Sequence, residues 1–255
     1  MWRIKIIKDD ILKKIANVYT NPSSCRDCRM NALCIPISLR SEELYKLDQI
    51  IKRGSPIQAQ QAIFKSGDKY TAVYAVRSGS IKSFCIDNDG REQVTGFYLP
   101  GEIFGWDGLA ENYYQNTAVA LETTSVCEIP YNQLELLAAT IPSINKHIMQ
   151  MVGREIAADQ KLIALLAANS AHQRLASLLL SISDRLAQQK LSSTRFRLPM
   201  SRGEISNYLG LTVETISRAF SHFQRTGYLK VNKKEIELVD KQRLEQLLTN
   251  PEEFE

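Results

Sequence analysis

Ser201-Arg202-Gly203-Glu204-Ile205-Ser206-Asn207-Tyr208-Leu209-Gly210-Leu211-Thr212-Val213-Glu214-Thr215-Ile216-Ser217-Arg218 decides the fold of this 255-residue chain. Ser201, followed three residues later by Glu204, is a capping box, so a helix starts at Arg202. It carries Ile205 and Leu209 inward and stops at Gly210. Thr212 caps a second helix with Val213, Ile216, Phe220 and Phe223 on its inner face. Helix, short turn containing glycine, helix is the helix-turn-helix pattern. Downstream, Leu229 to Val239 alternates around Asn232-Lys233-Lys234, which reads as a β-hairpin wing. Glu214, Ser217 and Arg218 fall at i, i+3 and i+4 and share the face opposite Ile216 and Phe220. A recognition helix sets such residues against base edges in the major groove. Arg can donate twice to guanine, Glu can accept from the cytosine amino group, and Ser can do either.

The charge distribution agrees. The whole chain carries a formal +4. Between Ser170 and Lys234, eleven Lys or Arg face three Asp or Glu, so the remainder is mildly acidic. A basic C-terminal region on an acidic body suggests a nucleic-acid-binding end, with a solvated basic face as the plain alternative, and with the helix-turn-helix pattern the expected partner is double-stranded DNA.

Upstream, Ser170 opens a helix with Leu175, Leu178, Leu179, Ile182 and Leu186 on one face. Ser192-Ser193-Thr194 links it to the motif. From Pro142 to Asn169, the residues Met149, Val152, Ile156, Asp159, Ile163 and Leu166 recur at steps of 3, 4, 3, 4 and 3. That period is a coiled-coil seam, on a helix about 40 Å long at 1.5 Å per residue. The alternative is one long core helix. Asp159 on the seam favours a subunit interface, where it meets its own copy, and so a homodimer.

Between Ile57 and Pro130 the period is two. Short alternating runs begin at Ala62, Ala72, Ile81, Gln93 and Ser125. Turn residues separate them at Ser66-Gly67-Asp68, Ser78-Gly79, Asn88-Asp89-Gly90 and Pro100-Gly101. Many short strands at this spacing predict a small antiparallel barrel or sandwich. Ser41 to Ile51 predicts a short amphipathic helix with Leu44, Leu47 and Ile51 inward.

Three of the five cysteines lie in Cys25-Arg-Asp-Cys28-Arg-Met-Asn-Ala-Leu-Cys34. Thiolates this close can hold zinc or an iron–sulfur cluster, and unliganded thiols are the plain alternative. No second Cys or His pair follows, so a fourth ligand must come from a folded-back segment. Cys85, Cys127, His147, His172 and His222 are all distant in sequence.

The run Asn207 to Arg218 resembles the recognition element of the oxygen-responsive iron–sulfur regulators in the catabolite activator protein/FNR family. The resemblance extends over nearly the whole chain after Cys25. It includes Leu33-Cys34-Ile35-Pro36, Ala75 to Ser83, and Leu121-Glu122-Thr123 through Cys127-Glu128-Ile129-Pro130. It implies an α+β chain: an N-terminal cyclic-nucleotide-binding-like β-roll, a long dimerisation helix and a C-terminal winged helix-turn-helix. The expected division is 1–40 for the cysteine segment, 41–141 for the β-roll, 142–169 for the dimer helix and 170–255 for the DNA-binding domain. The resemblance further implies a [4Fe–4S] cluster on Cys25, Cys28, Cys34 and Cys127, shielded by Leu33, with Cys85 a packed strand thiol. It implies dimerisation restrained by Asp159, a TTGAT-type half-site read by Glu214, Ser217 and Arg218, and contact with RNA polymerase. Two positions depart from the family form: Arg29 replaces a small polar residue, and Arg91 replaces an acidic one in a polymerase-facing loop.

Other functions fit less well. A cyclic-nucleotide pocket needs an Arg-Ser pair after Gly101-Glu102, and Trp106 to Thr117 holds no Arg or Lys. A zinc-stabilised repressor would use the same cysteines. No Ser/His/Asp set or Gly-rich phosphate loop suggests an enzyme. The chain lacks an apolar run long enough to span a bilayer and lacks a signal-peptide core, so no membrane partner and a cytoplasmic location are expected.

Overall fold

The computed structural model describes residues 24–28, 30, 34, 39–168 and 170–249. The expectations for residues 1–20, for Arg29 and for the shielding Leu33 lie outside the described residues.

Helix α1 (Ser41–Ile50) buries Leu47 completely and leads into strand β1 (Lys52–Arg53). The alternating runs then form β2 (Ala62–Phe64), β3 (Ala72–Ser78), β4 (Ile81–Ile86), β5 (Glu92–Tyr98), β6 (Ile103–Phe104), β7 (Thr117–Ala120) and β8 (Ser125–Pro130). They make two antiparallel sheets, ordered β1-β8-β3-β6 and β2-β7-β4-β5. Ala72, Val73, Ile81, Phe104 and Ile129 sit in the core between them. The β3–β4 turn requires glycine at Gly79. Its φ is +80°, and a Cβ there would stand 2.3 Å from Thr124 Oγ1.

Helix α2 (Tyr131–Thr140) follows β8 directly, and α3 (Pro142–Ala168) follows after Ile141. The first turns of α3 bury Ile144 and Ile148 in the β-roll core, with Val152 half-buried beside them. Farther along, α3 leaves that core. Met149, Ile156 and Ile163 are 60%, 53% and 67% exposed, and Asp159 is exposed beside them. Half of the expected seam is thus an open apolar stripe on this chain. Val152 instead packs against the β-roll core, and Leu166 is half-buried.

Helix α4 (Ala171–Gln188) begins at a capping box formed by Ser170 and Gln173. Leu175, Leu178, Leu179 and Ile182 are buried, as their spacing requires. The motif forms α5 (Arg202–Tyr208), capped by Ser201 and Glu204, and α6 (Val213–Arg225), capped by Thr212. Ile216, Phe220 and Phe223 are buried. Val213 is not: it lies 50% exposed, because the first residue of α6 precedes the turn where the helix meets its neighbours. The wing hairpin β10 (Leu229–Asn232) and β11 (Glu235–Leu238) gains a third strand, β9 (Arg195–Arg197), and α7 (Lys241–Thr249) closes the unit.

The β-roll and the winged unit share a core. Val94, Phe97, Leu99 and Leu121 pack with the apolar side chains of α4, α5 and α6. The side chain of Asn207 works as a short piece of strand against the edge of β5. Its Oδ1 accepts from the Val94 N–H at 2.6 Å and its Nδ2 donates to the Glu92 carbonyl at 2.6 Å. Arg185 donates to Glu102 Oε1 and to the Phe97 carbonyl, each at 2.6 Å.

Candidate metal centre and nucleic-acid interface

The four cysteines of the sequence reading line one pocket. Cys25, Cys28 and Cys34 approach it from the N-terminal segment, and Cys127 from the middle of β8. Cys127 is held between two strands, opposite Arg53 of β1 and Ala75 of β3. Cys25 and Cys127 are buried, whereas Cys28 and Cys34 are half-buried. Ile51, Ala75, Val76 and Ile129 supply apolar wall, Met30 a thioether, and Arg53 and Arg77 positive charge. Cys85 lies elsewhere, on β4, with its thiol 3.8 Å from the Gln93 carbonyl.

This donor set fits an iron–sulfur cluster. Among the described residues, the ligand-type side chains lining the pocket are soft sulfur groups, four thiols and the Met30 thioether, and a thiolate-bound cluster is a net anion that two guanidiniums offset. Among the described residues, no three Cys, His, Asp or Glu side chains already stand in coordinating geometry. Without a metal, burial and the Asp48 carboxylate push the Cys25 thiol up to about 12, and burial raises Cys127 as well. A bound metal would override this by taking the thiolate form.

Two neighbours of the cysteines have no role assigned from sequence. Arg53 Nη2 donates to Cys25 Sγ at 3.3 Å and also pairs with Asp48, whose Oδ1 accepts from the Cys25 N–H at 2.9 Å. His147, remote in sequence, is buried on α3 and hydrogen-bonds the backbone of Cys34. Neither belongs to a motif. The basic pair Lys52-Arg53 after the amphipathic helix is the one sequence signal near Arg53.

At the other end, the outer face of α6 is open. The Glu214 and Arg218 side chains are 71% and 79% exposed and pair with each other at 2.5 Å. Ser217 Oγ donates to the Val213 carbonyl at 2.8 Å, one turn back. All three expected residues therefore present one free face.

The turn at Gly101-Glu102, where a nucleotide-binding β-roll would hold phosphate, carries its own internal partners. The Glu102 carboxylate is taken by Arg185 and by the Leu99 N–H at 2.8 Å. Phe64 stacks on Tyr114 at 3.8 Å between ring centroids, and Tyr74 on Phe104 at 5.6 Å.

Family models bear on the whole arrangement. A Crp-like helix-turn-helix domain matches residues 173–247, and a cyclic nucleotide-binding domain matches residues 55–140. The chain is 45% identical over 223 residues to the fumarate and nitrate reduction regulatory protein of Escherichia coli K12, covering 88% of this chain and 89% of that protein. It is 46% identical to electron transport regulator A of Shewanella oneidensis, covering 89% and 90%. The chain belongs to the Crp/FNR family. It is a DNA-binding transcription regulator with that family's α+β architecture. The solved structure of FixK2 from Bradyrhizobium japonicum has the same fold, with a TM-score of 0.71 and 30% identity over 78% of this chain and 97% of that one. Among the described residues, no helix is long and apolar enough to cross a membrane.

Proposed function

We propose that this regulator is an oxygen-responsive switch of anaerobic metabolism, with a [4Fe–4S] cluster bound by Cys25, Cys28, Cys34 and Cys127. One observation carries the reading: an N-terminal cysteine segment and a distant strand bring four thiols to one apolar pocket edged by two arginines. The similarity to regulators named for fumarate and nitrate reduction supports the metabolic assignment. The group supplies an oxygen-labile inorganic core whose integrity reports the absence of oxygen. The chain's residues do the rest. The four thiolates hold the core, and Ile51, Val76 and Ile129 limit water. His147 ties Cys34 to α3, so ordering the cysteine segment also positions the dimer helix.

Dimerisation follows through the open stripe of Met149, Ile156 and Ile163. Asp159 opposes it, because two facing carboxylates repel in a poorly solvated seam. The cytoplasmic homodimer then offers two copies of Glu214, Ser217 and Arg218 to a TTGAT-type palindrome. Half-sites about one helical turn apart match such a dimer. A surface of the β-roll contacts RNA polymerase.

Anaerobic purification with iron and acid-labile sulfide analysis tests this reading. The expected result is about four irons and four sulfides per chain, with DNA binding lost on exposure to air. Replacing any one of the four cysteines with Ser should abolish the cluster, whereas Cys85→Ser should keep it. Zinc at one per chain without sulfide would replace the reading with a zinc-stabilised repressor. Full cluster content in Cys127→Ser would overturn the ligand set.

A further inference from the structure

We propose that Arg53 is a positioning residue that holds the Cys25 ligand and sets the reduction potential of the thiolate-bound group, with Asp48 as its counterweight. The inference rests on the cluster reading above.

The geometry is specific. Arg53 lies on β1, directly across the ladder from Cys127. Its guanidinium reaches over to Cys25 Sγ at 3.3 Å. One side chain thus spans ligands from two distant segments. Asp48, on the preceding helix, fixes the fork: it pairs with the guanidinium and accepts from the Cys25 N–H. Both side chains are largely buried, 10% and 20% exposed, so their charges act through little solvent. Arg77 lines the same pocket.

The chemistry gives the arrangement a direction. Four thiolates around a [4Fe–4S] core make a net anion, and one-electron reduction makes it more negative. A cation hydrogen-bonded to a ligand sulfur favours the reduced state, so it raises the potential. A nearby carboxylate lowers it. Arg53 and Asp48 should therefore act with opposite signs, whereas residues that merely hold the fold together would act alike when removed.

The test compares full-length parent, Arg53→Met, Arg53→Lys and Asp48→Asn, prepared without oxygen and titrated electrochemically with detection of the reduced cluster by electron paramagnetic resonance. Arg53→Met should shift the reduction equilibrium at least tenfold toward the oxidised form, 59 mV more negative for one electron. Asp48→Asn should shift it the other way. Arg53→Lys, which keeps the charge but loses the fork, should fall between parent and Arg53→Met. Cobalt(II) titration of the metal-free proteins, read from the thiolate charge-transfer band, reports the same site without a cluster. There Arg53→Met should bind roughly 10–100-fold more weakly. Unchanged potentials, or equal shifts of one sign in Arg53→Met and Asp48→Asn, would overturn the inference while leaving the cluster intact. A parent that takes cobalt but never a cluster would remove the cluster reading, and the cobalt affinities alone would then decide Arg53. A parent that binds neither would overturn both.

Discussion

His147, in the second turn of α3, hydrogen-bonds the backbone of Cys34, so the cysteine segment and the long helix are joined by a buried side chain. Ile144 and Ile148, on the same turns, pack in one core with Cys25 and Cys127. The four-cysteine pocket therefore needs no long relay to reach α3, because its own residues touch that helix.

That contact predicts an uncoupled variant. His147→Leu keeps apolar volume but removes the link to Cys34. The anaerobic protein should retain its iron yet dimerise more weakly. A loss of up to about 1–3 kcal/mol is the scale of ordinary allosteric coupling. Sedimentation of anaerobic parent and variant at matched concentrations measures it. Equal dimer affinities at equal iron content would exclude His147 as the connection.

Asp159→Ala removes a carboxylate from the open stripe of α3. The metal-free variant should form dimers and bind DNA in air, where the parent stays largely monomeric. Sedimentation of the two aerobic proteins checks this. If both remain monomeric to the same degree, the restraint on dimerisation lies outside Asp159.

Arg218→Ala should cost roughly 1–3 kcal/mol of discrimination at a guanine-containing pair of the half-site. Competition binding with single-base variants of the palindrome reads it. Uniform weakening across all sequences would make Arg218 a phosphate contact instead. Because Arg218 is paired with Glu214 on the free chain, Glu214→Ala should alter the preference at a neighbouring position.

Glu155 predicts a pH effect. Burial raises its pKa, the Tyr98 hydroxyl bonded to it at 2.8 Å opposes that rise, and the Asp159 and Glu102 charges add to it. The folded chain thus holds this proton more tightly than the unfolded chain. Stability from the group is greatest below the ordinary glutamate range and is lost as pH rises through the elevated value. Glu155→Gln should therefore raise the melting temperature of the aerobic protein at neutral pH, with the gain shrinking as the solution is acidified. Melting curves at several pH values decide it, and a gain that is the same at every pH would remove the carboxylate as its cause.

The sequence pattern made some parts of this molecule legible and hid others. The helix start at Ser170, the capping box at Ser201 and the alternating runs at Ala72 and Ile81 are local signals, and each is the element that its local physics demands. The strands β1, β6 and β9 are two or three residues long and exist only because a neighbouring strand pairs with them, so period-two patterning had nothing to register. Helix α2 escaped because its apolar residues are not confined to one face: Leu134 is buried while Leu136 is exposed. Among the candidate site residues, the cysteine triplet was visible from spacing, and Cys127 was picked out by its surrounding sequence alone. Arg53 and His147 were invisible because their importance lies in tertiary proximity to cysteines tens of residues away.

The Asn207 clamp on β5 has a consequence for how the chain can be divided. β5 ends its sheet, and the strand edge that α5 covers would otherwise offer the free Val94 N–H and Glu92 carbonyl to any other strand. The DNA-binding unit is thus also the cover of the β-roll. A β-roll cut free after α3 would expose that ladder together with Phe97 and Leu99, which pack under the winged unit in the intact chain. Such a fragment would be prone to strand-to-strand self-association, which the winged unit prevents in the intact chain.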